Sequence, residues 1–210
     1  MFKDRIDAAI QLAKKLEKYK NTPGIILAIP RGGVPIGAII AKTLGMPLEI
    51  ILSKKIGHPK NPEYAIGSAT MQEVIINENV PDVPKDYIQI EAARVQQNLK
   101  QKYADLMGDT KPTNVKDKTV ILIDDGIATG STVLASIALI KKSKPAKIIV
   151  AIPVATEEAI KKIKNVVDEV YCVLIPAIFY GVGQFYTDFE QVSDEEVKAL
   201  LFQSSTIEKA

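Results

Sequence analysis

Two adjacent carboxylates, Asp124 and Asp125, begin the segment with the clearest chemical pattern. They follow the apolar run Thr119–Ile123, and the sequence continues Gly-Ile-Ala-Thr-Gly-Ser-Thr into a helical pattern. Paired carboxylates suit sugar hydroxyls or a magnesium-bound diol, and the free amides of a glycine turn at a helix N-terminus suit a phosphate. The segment therefore predicts a site for a phosphorylated sugar. The alternative, a capped helix after two surface aspartates, would leave two repelling charges together without a role.

A second anion site is predicted after the first apolar strand, where the sequence reads Ile-Pro-Arg-Gly-Gly-Val-Pro. A cation followed by two glycines, here Arg31, Gly32 and Gly33, can form a small nest of amides around an anion. Taken alone, the motif also fits a tight turn with an exposed arginine. We expect a strained, cis peptide at Pro30–Arg31, and the alternative is a trans turn, which the fixed φ of the proline ring could make sufficient.

Two further segments have suggestive compositions. The stretch Ser53–Gly67 contains three lysines, His58, and several glycines and prolines, which predicts a polar loop. We expect its part from Lys54 onwards to be a mobile lid that offsets anionic charge, although a solvated surface loop is the alternative. The stretch Pro176–Phe189 is rich in aromatic residues. Aromatic rings could stack on a flat base, or they could form a satellite hydrophobic cluster or a dimer contact.

The elements that must position these residues alternate between apolar runs and helical patterns, which predicts an α/β fold. The predicted strands are Ile25–Ile29, Leu48–Leu52, Thr119–Ile123, Ile148–Pro153 and Glu169–Leu174. The predicted helices are 6–16, Val34–Leu44, Lys85–Leu106, Ser131–Lys142 and one that begins after Thr156.

We therefore expect one domain over residues 1–210, with a mostly parallel sheet of about five strands flanked by helices. Residues 67–114 read as an insertion. It contains a small hairpin, Ser68–Ala69 with Val74–Ile76, and then the long helix. Residues 176–210 are expected to form a small hood and tail at the C-terminal end.

Composition excludes several classes of protein. The chain of 210 residues has a net charge of +2, one cysteine and one histidine. A single thiol excludes a disulfide scaffold, and a single histidine argues against a His-based metal cage or a Ser-His-Asp triad. The balanced charge gives no support for nucleic-acid or membrane binding. The most apolar stretch, Ile148–Ala155, is too short to span a bilayer, so a cytoplasmic protein is expected.

The segment from Asp124 to Thr132 resembles the phosphoribosyl-pyrophosphate (PRPP) signature of type I phosphoribosyltransferases, in a less characterised branch of that family. The resemblance runs from Ile25 to about Phe189 and implies that Asp124 and Asp125 hold the ribose hydroxyls. It implies that the 5-phosphate is bound by Ala128, Thr129, Gly130, Ser131 and Thr132. It implies that pyrophosphate is bound by Arg31, Gly32, Gly33, Lys54 and Lys55. The base-binding candidates that it implies are Phe179, Tyr180, Val182 and Asp188.

The reaction implied by the resemblance is transfer of the 5-phosphoribosyl group of PRPP to a nitrogenous base with release of pyrophosphate. Asp124, Asp125 and Arg31 would be its catalytic residues. Mg²⁺ is the implied cofactor, and it would contact the two aspartates only through water or the ribose. A homodimer acting in nucleotide metabolism is the expectation for the family. A PRPP-binding regulatory protein with little turnover is the alternative.

The acceptor base is left open by the sequence. Family members that use 6-oxopurines carry an aspartate at the place of Ala128. Its absence counts against hypoxanthine and guanine, although Asp188 could still contact a base. Adenine-type and orotate-type members also lack that aspartate and therefore stay open.

Overall fold

A computed structural model of the protein describes residues 1–77, 80 and 82–207. The helices are α1 Arg5–Lys15, α2 Gly33–Leu44, α3 Lys85–Met107, α4 Ser131–Lys142, α5 Glu157–Lys164 and α6 Asp194–Ile207. The strands are β1 Gly24–Ala28, β2 Leu48–Ile50, β3 Lys54–His58, β4 Asn61–Ala69, β5 Val74–Ile76, β6 Thr119–Ile123, β7 Lys147–Val154 and β8 Glu169–Leu174. In the part of the chain described, no helix is both long and apolar enough to cross a membrane.

The main sheet has five parallel strands in the order β2-β1-β6-β7-β8. The predicted α/β fold with a five-stranded parallel sheet is thus confirmed. Successive residues of β1 alternate between two cores, since Ile26 packs in the cluster with α1 and α2 while Ile25 packs in the cluster with α4 and α5. Both faces are covered, which explains why the strands read as continuous apolar runs. Because β1 and β6 are neighbours, the segments that follow them meet at one edge.

The predicted loop over 53–67 is wrong, because its residues form two antiparallel strands. β3 pairs with β4, and β4 pairs with β5, in a separate three-stranded sheet. The predicted pairing of 68–69 with 74–76 is confirmed as part of that sheet. Ile56 and Ile66 are fully buried and pack in the core cluster that also contains Leu99 of α3. The Tyr87 hydroxyl, also on α3, donates to the carbonyl of Gly57 at 3.0 Å, so the long helix supports this sheet.

We expect mobility only at the tip of the β3–β4 hairpin, and no longer over the whole stretch 54–67. Residues 59–65 are exposed, whereas Ile56 and Ile66 are buried, so the assumption of few core contacts is wrong for those two. In a ligand-free crystal, we expect high B-factors over 59–65 and low values at both isoleucines. A tip as well ordered as β6, in a lattice that leaves it free of contacts, would contradict this prediction.

The first residues of the chain are joined to residues 185–187 beside the main sheet. The amide of Phe2 donates to the carbonyl of Phe185 at 2.8 Å, and the amide of Thr187 donates to the carbonyl of Phe2 at 2.9 Å. The rings of Phe2 and Tyr186 pack with centroids 5.2 Å apart. The segment 176–193 and the first residues therefore form one small lobe, which we call the hood. The helix α6 that follows was not predicted.

Candidate active site

The adjacent carboxylates lie where β6 ends, and both are largely buried. The amide of Asp125 donates to Oδ1 of Asp124 at 2.9 Å. Burial, reinforced by the negative charge of Asp125, raises the pKa of Asp124 to about 8. Burial also raises the pKa of Asp125, but the guanidinium of Arg5 opposes that rise. The ligand-free site therefore holds a carboxyl group that is mostly protonated at neutral pH beside one that is paired with a cation.

The loop after β1 lies against these carboxylates. The Pro30–Arg31 peptide bond is cis, as expected from the sequence. A Cβ atom at Gly32 would overlap the carboxylate of Asp125, and one at Gly33 would lie 2.7 Å from the carbonyl oxygen of Ile123. Only glycine permits this close approach. The fold thus brings together the two glycines and the acidic pair that the sequence singled out.

The Arg31 side chain pairs with a carboxylate outside the acidic pair. Its Nε donates to Oδ1 of Asp194 at 2.8 Å, and both side chains are about 40% exposed (39% and 41%). Asp194 is the first residue of α6. Because an exposed ion pair contributes little free energy, an anion in the neighbouring loop could compete with Asp194 for this guanidinium.

The turn after the carboxylates presents an uncapped helix N-terminus. Gly130 has a φ of 79°, and α4 begins at the next residue without a side-chain cap. The turn is held from behind, since the Thr156 hydroxyl donates to the carbonyl of Ala128 at 2.7 Å. Ala128, Thr129, Ser131 and Thr132 are exposed. The amide of Ser131 makes one long hydrogen bond, to Oγ1 of Thr129 at 3.4 Å, and the amides that follow it in the first turn of α4 are open to an anion.

We expect a phosphate or sulfate ion to bind within hydrogen-bonding distance of the amides of residues 128–132. The positive end of the α4 dipole and the free amides attract it. A crystal grown or soaked in either anion would reveal it by difference density. Anion density elsewhere on the protein, with none at an accessible 128–132 turn, would contradict the expectation.

The two lysines predicted to bind pyrophosphate lie in different surroundings. Lys54 lines a cavity of about 350 Å³ with Pro30 and Thr132, so it lies between the two anion loops. Lys55 instead binds Glu63 across the hairpin, with its Nζ 2.7 Å from Oε2. Neighbouring residues of a strand point to opposite faces, which explains the difference. The role of Lys55 in pyrophosphate binding stays a prediction, and its exposed pair with Glu63 would have to open for it.

The base-binding candidates of the hood occupy different environments. Val182 lies over Gly126, where a Cβ would overlap its methyl groups, so it covers the turn after Asp125. Phe179 packs on Phe185 with centroids 5.2 Å apart. Tyr180 is 90% exposed, and Asp188 accepts a bond from the amide of Glu190 within its own turn. Of the four, Val182 has a packing contact next to the acidic pair.

Two basic residues near the site were missed by the sequence reasoning. Arg5 of α1 binds Asp125, with its Nη2 2.9 Å from Oδ2. Lys102 of α3 lines the cavity beside Lys54. Neither residue stands in a motif, and no local signal separates either one from the other surface cations. Their partners are far away in sequence, so only the tertiary fold reveals them.

The donor set fits a metal ion that arrives with the substrate. Within the described ranges, no group of three or more His, Cys, Asp or Glu side chains could hold a metal. The site offers two neighbouring carboxylates, and Mg²⁺ is usually bound by one or two carboxylates plus phosphate oxygens and water. The residues present therefore suit Mg²⁺ carried by a diphosphate.

Comparison with known proteins agrees with this geometry. Residues 2–190 match the phosphoribosyl transferase domain family, so the chain belongs to that family. It is 32% identical over 205 residues to "Putative phosphoribosyl transferase Rv0571c" of Mycobacterium tuberculosis, a match covering 96% of this chain and 46% of that protein. The chain thus spans about half the length of the curated relatives it matches. The crystal structure of TT1426 from Thermus thermophilus is similar at 33% identity, with a TM-score of 0.86 and coverage of 96% of this chain and 98% of that one.

Proposed function

We propose that the protein transfers the 5-phosphoribosyl group of PRPP to a nitrogenous base and releases pyrophosphate. One observation carries the proposal. The carboxylates Asp124 and Asp125 stand between an uncapped helix N-terminus and a glycine loop packed against them. This arrangement places a ribose site between two anion sites. PRPP has the same order of groups, with a ribose between a 5-phosphate and a pyrophosphate.

In the proposed reaction, a nitrogen lone pair of the base attacks C1 of PRPP, and the electron pair of the C1–O bond leaves with pyrophosphate. Asp124 and Asp125 orient the ribose, the amides of 128–132 hold the 5-phosphate, and Gly32, Gly33 and Arg31 receive the leaving group. Bound Mg²⁺ would neutralise charge on the pyrophosphate. The transition state at a sugar C1 has oxocarbenium character, so the chain contributes orientation and charge rather than a nucleophile.

A pyrophosphate-release assay tests the proposal. Protein, Mg²⁺ and PRPP are combined with a panel of purine and pyrimidine bases, and pyrophosphate is measured over time. Steady release that requires one particular base supports the transferase and identifies its acceptor. PRPP binding without release over the whole panel would instead indicate a PRPP-binding regulator. No binding of PRPP by the folded protein would overturn the proposal.

The ribose role of Asp125 predicts a specific loss. We expect Asp125→Asn to weaken PRPP binding by roughly 1–3 kcal/mol, the usual cost of losing a hydrogen bond that involves a charged group. Isothermal titration calorimetry measures the loss, and Asp188→Asn in the hood serves as the control because its carboxylate is bonded within its own turn. Equal PRPP affinity of wild type and Asp125→Asn would remove the ribose role.

Three broader expectations belong to the same proposal. The protein works in the cytoplasm, it takes part in nucleotide metabolism, and it is a homodimer. The balanced net charge of +2 still gives no support for a nucleic-acid partner. Sedimentation velocity of the purified chain tests the dimer directly.

A further inference from the structure

One cation, Arg5, connects three separate segments at the acidic pair. It is the first residue of α1. Its Nε and Nη2 both donate to Oδ2 of Asp125, at 3.1 and 2.9 Å. Its Nη1 donates to the carbonyl of Glu190 in the hood at 2.7 Å. The side chain is only 13% exposed, so this contact differs from an ordinary surface ion pair.

A stacking contact fixes the plane of the guanidinium. The Arg5 Cζ lies 4.0 Å from the ring centroid of Phe189, and that ring also stacks on Tyr186 with centroids 4.9 Å apart. An arginine fork that is both stacked and hydrogen-bonded has one orientation, which a lysine ammonium cannot reproduce. The Phe189 ring is thus engaged by protein groups.

Asp125 is consequently held at both its side chain and its main chain. Arg5 holds Oδ2, and the Tyr186 hydroxyl donates to the carbonyl of Asp125 at 2.6 Å. Oδ2 is also the carboxylate oxygen nearest to Gly32. These contacts fix the rotamer of the Asp125 side chain through Oδ2. A carboxylate whose rotamer is set before the ligand arrives binds without reordering.

We propose that Arg5 is a positioning residue that fixes the Asp125 carboxylate for a ribose hydroxyl and couples the hood to the sugar site. This role of Arg5 rests on the proposed function, because it takes PRPP to be the ligand of the site. Arg5 acts through Asp125 and touches no reacting atom. The chain therefore uses its first helix, which lies outside the recognised motifs, to complete the site.

The test compares Arg5→Gln and Arg5→Lys with wild type by calorimetry with Mg²⁺ and PRPP. We expect Arg5→Gln to weaken PRPP binding roughly 10–100-fold, the scale of effect from misplacing a binding group. Arg5→Lys, which restores charge without the fork, should recover part of the affinity. Arg94→Gln is the matched control, because Arg94 also forms a two-pronged pair, with Glu91, but on an exposed part of α3.

A double variant separates positioning from general stability. If Arg5 acts through Asp125, Arg5→Gln combined with Asp125→Asn should lose no more PRPP affinity than Asp125→Asn alone. In the release assay, the KM for PRPP should rise more than kcat falls. Unchanged PRPP affinity in Arg5→Gln, or losses that add in the double variant, would overturn the role of Arg5 alone. If Arg5→Gln does not fold, Arg5→Lys replaces it. The PRPP affinities of Arg5→Lys, alone and combined with Asp125→Asn, are then compared in the same way.

The two proposals fail in different ways. If wild-type protein does not bind PRPP, the proposed function fails and the positioning role is overturned with it. If wild type binds PRPP and the Arg5 variants bind it equally well, the function stands and only the role of Arg5 is lost. A lower melting temperature of Arg5→Gln with unchanged PRPP affinity would assign Arg5 to stability.

Discussion

Replacing Asp124 with asparagine should stabilise the ligand-free protein at pH 8 to 9. Burial, with the neighbouring charge of Asp125 as the second cause, raises the pKa of Asp124 from its ordinary 3.8 to about 8. Between about pH 4 and pH 8, Asp124 is protonated in the folded protein and ionised in the unfolded one. Unfolding therefore releases a proton, and a rise in pH favours unfolding. The contribution of Asp124 to the free energy of unfolding is therefore fully present below about pH 4 and is lost as the pH rises through about 8.

Asparagine has no charge to desolvate, and its amide oxygen can still accept from the amide of Asp125. At pH 8 to 9 we expect Asp124→Asn to raise the free energy of unfolding by on the order of 2–5 kcal/mol, because one pKa unit corresponds to about 1.4 kcal/mol. Melting temperatures of both proteins at several pH values measure the difference. Asp105→Asn is the control, since Asp105 is exposed and its Oδ1 accepts from the side-chain Nε2 of Gln101. Parallel pH profiles for wild type and Asp124→Asn would contradict the prediction.

Replacing Gly32 with alanine should abolish most PRPP binding. The added Cβ would overlap the Asp125 carboxylate, and that carboxylate cannot move aside without losing Arg5. Either the anion loop retreats from the acidic pair or Asp125 turns away from its present rotamer. Both changes displace groups that the proposal assigns to PRPP, so we expect at least about a tenfold loss of affinity.

Gly181→Ala, in the hood, provides the matched control. Nothing lies within 4 Å of a Cβ at Gly181, and its φ of 177° is extended backbone that any residue adopts. Calorimetry with PRPP should therefore distinguish the two alanine variants although both remove one glycine. If Gly32→Ala bound PRPP as tightly as Gly181→Ala does, the close approach of the loop to Asp125 would have no part in binding.

The sequence predicted the main sheet well because the sheet is covered on both faces. Continuous apolar runs such as Thr119–Ile123 then identify strands without any knowledge of their neighbours. It also predicted which motifs meet, since the carboxyl ends of parallel strands share one edge. The cis peptide at Pro30–Arg31 was anticipated from the two glycines that follow it, whose amides must turn toward one anion.

The sequence failed where distant contacts override local composition. Lysines, glycines and prolines gave 53–67 the composition of a loop, but Ile56 and Ile66 are buried under α3, whose residues come some 30 positions later in the chain. Strand formation there depends on that packing more than on intrinsic preference. The pairing of Arg31 with Asp194 spans 163 positions. No local pattern could have indicated it.

The joining of the first residues to the hood also bears on how the protein folds. The hydrogen bond from Arg5 to Glu190 spans 185 positions, and that from Arg5 to Asp125 spans 120. Closing such long loops costs chain entropy before any contact rewards it. We therefore infer that the nascent chain cannot complete its acidic pocket until synthesis has passed Glu190, and that ligand-binding competence is acquired late on refolding.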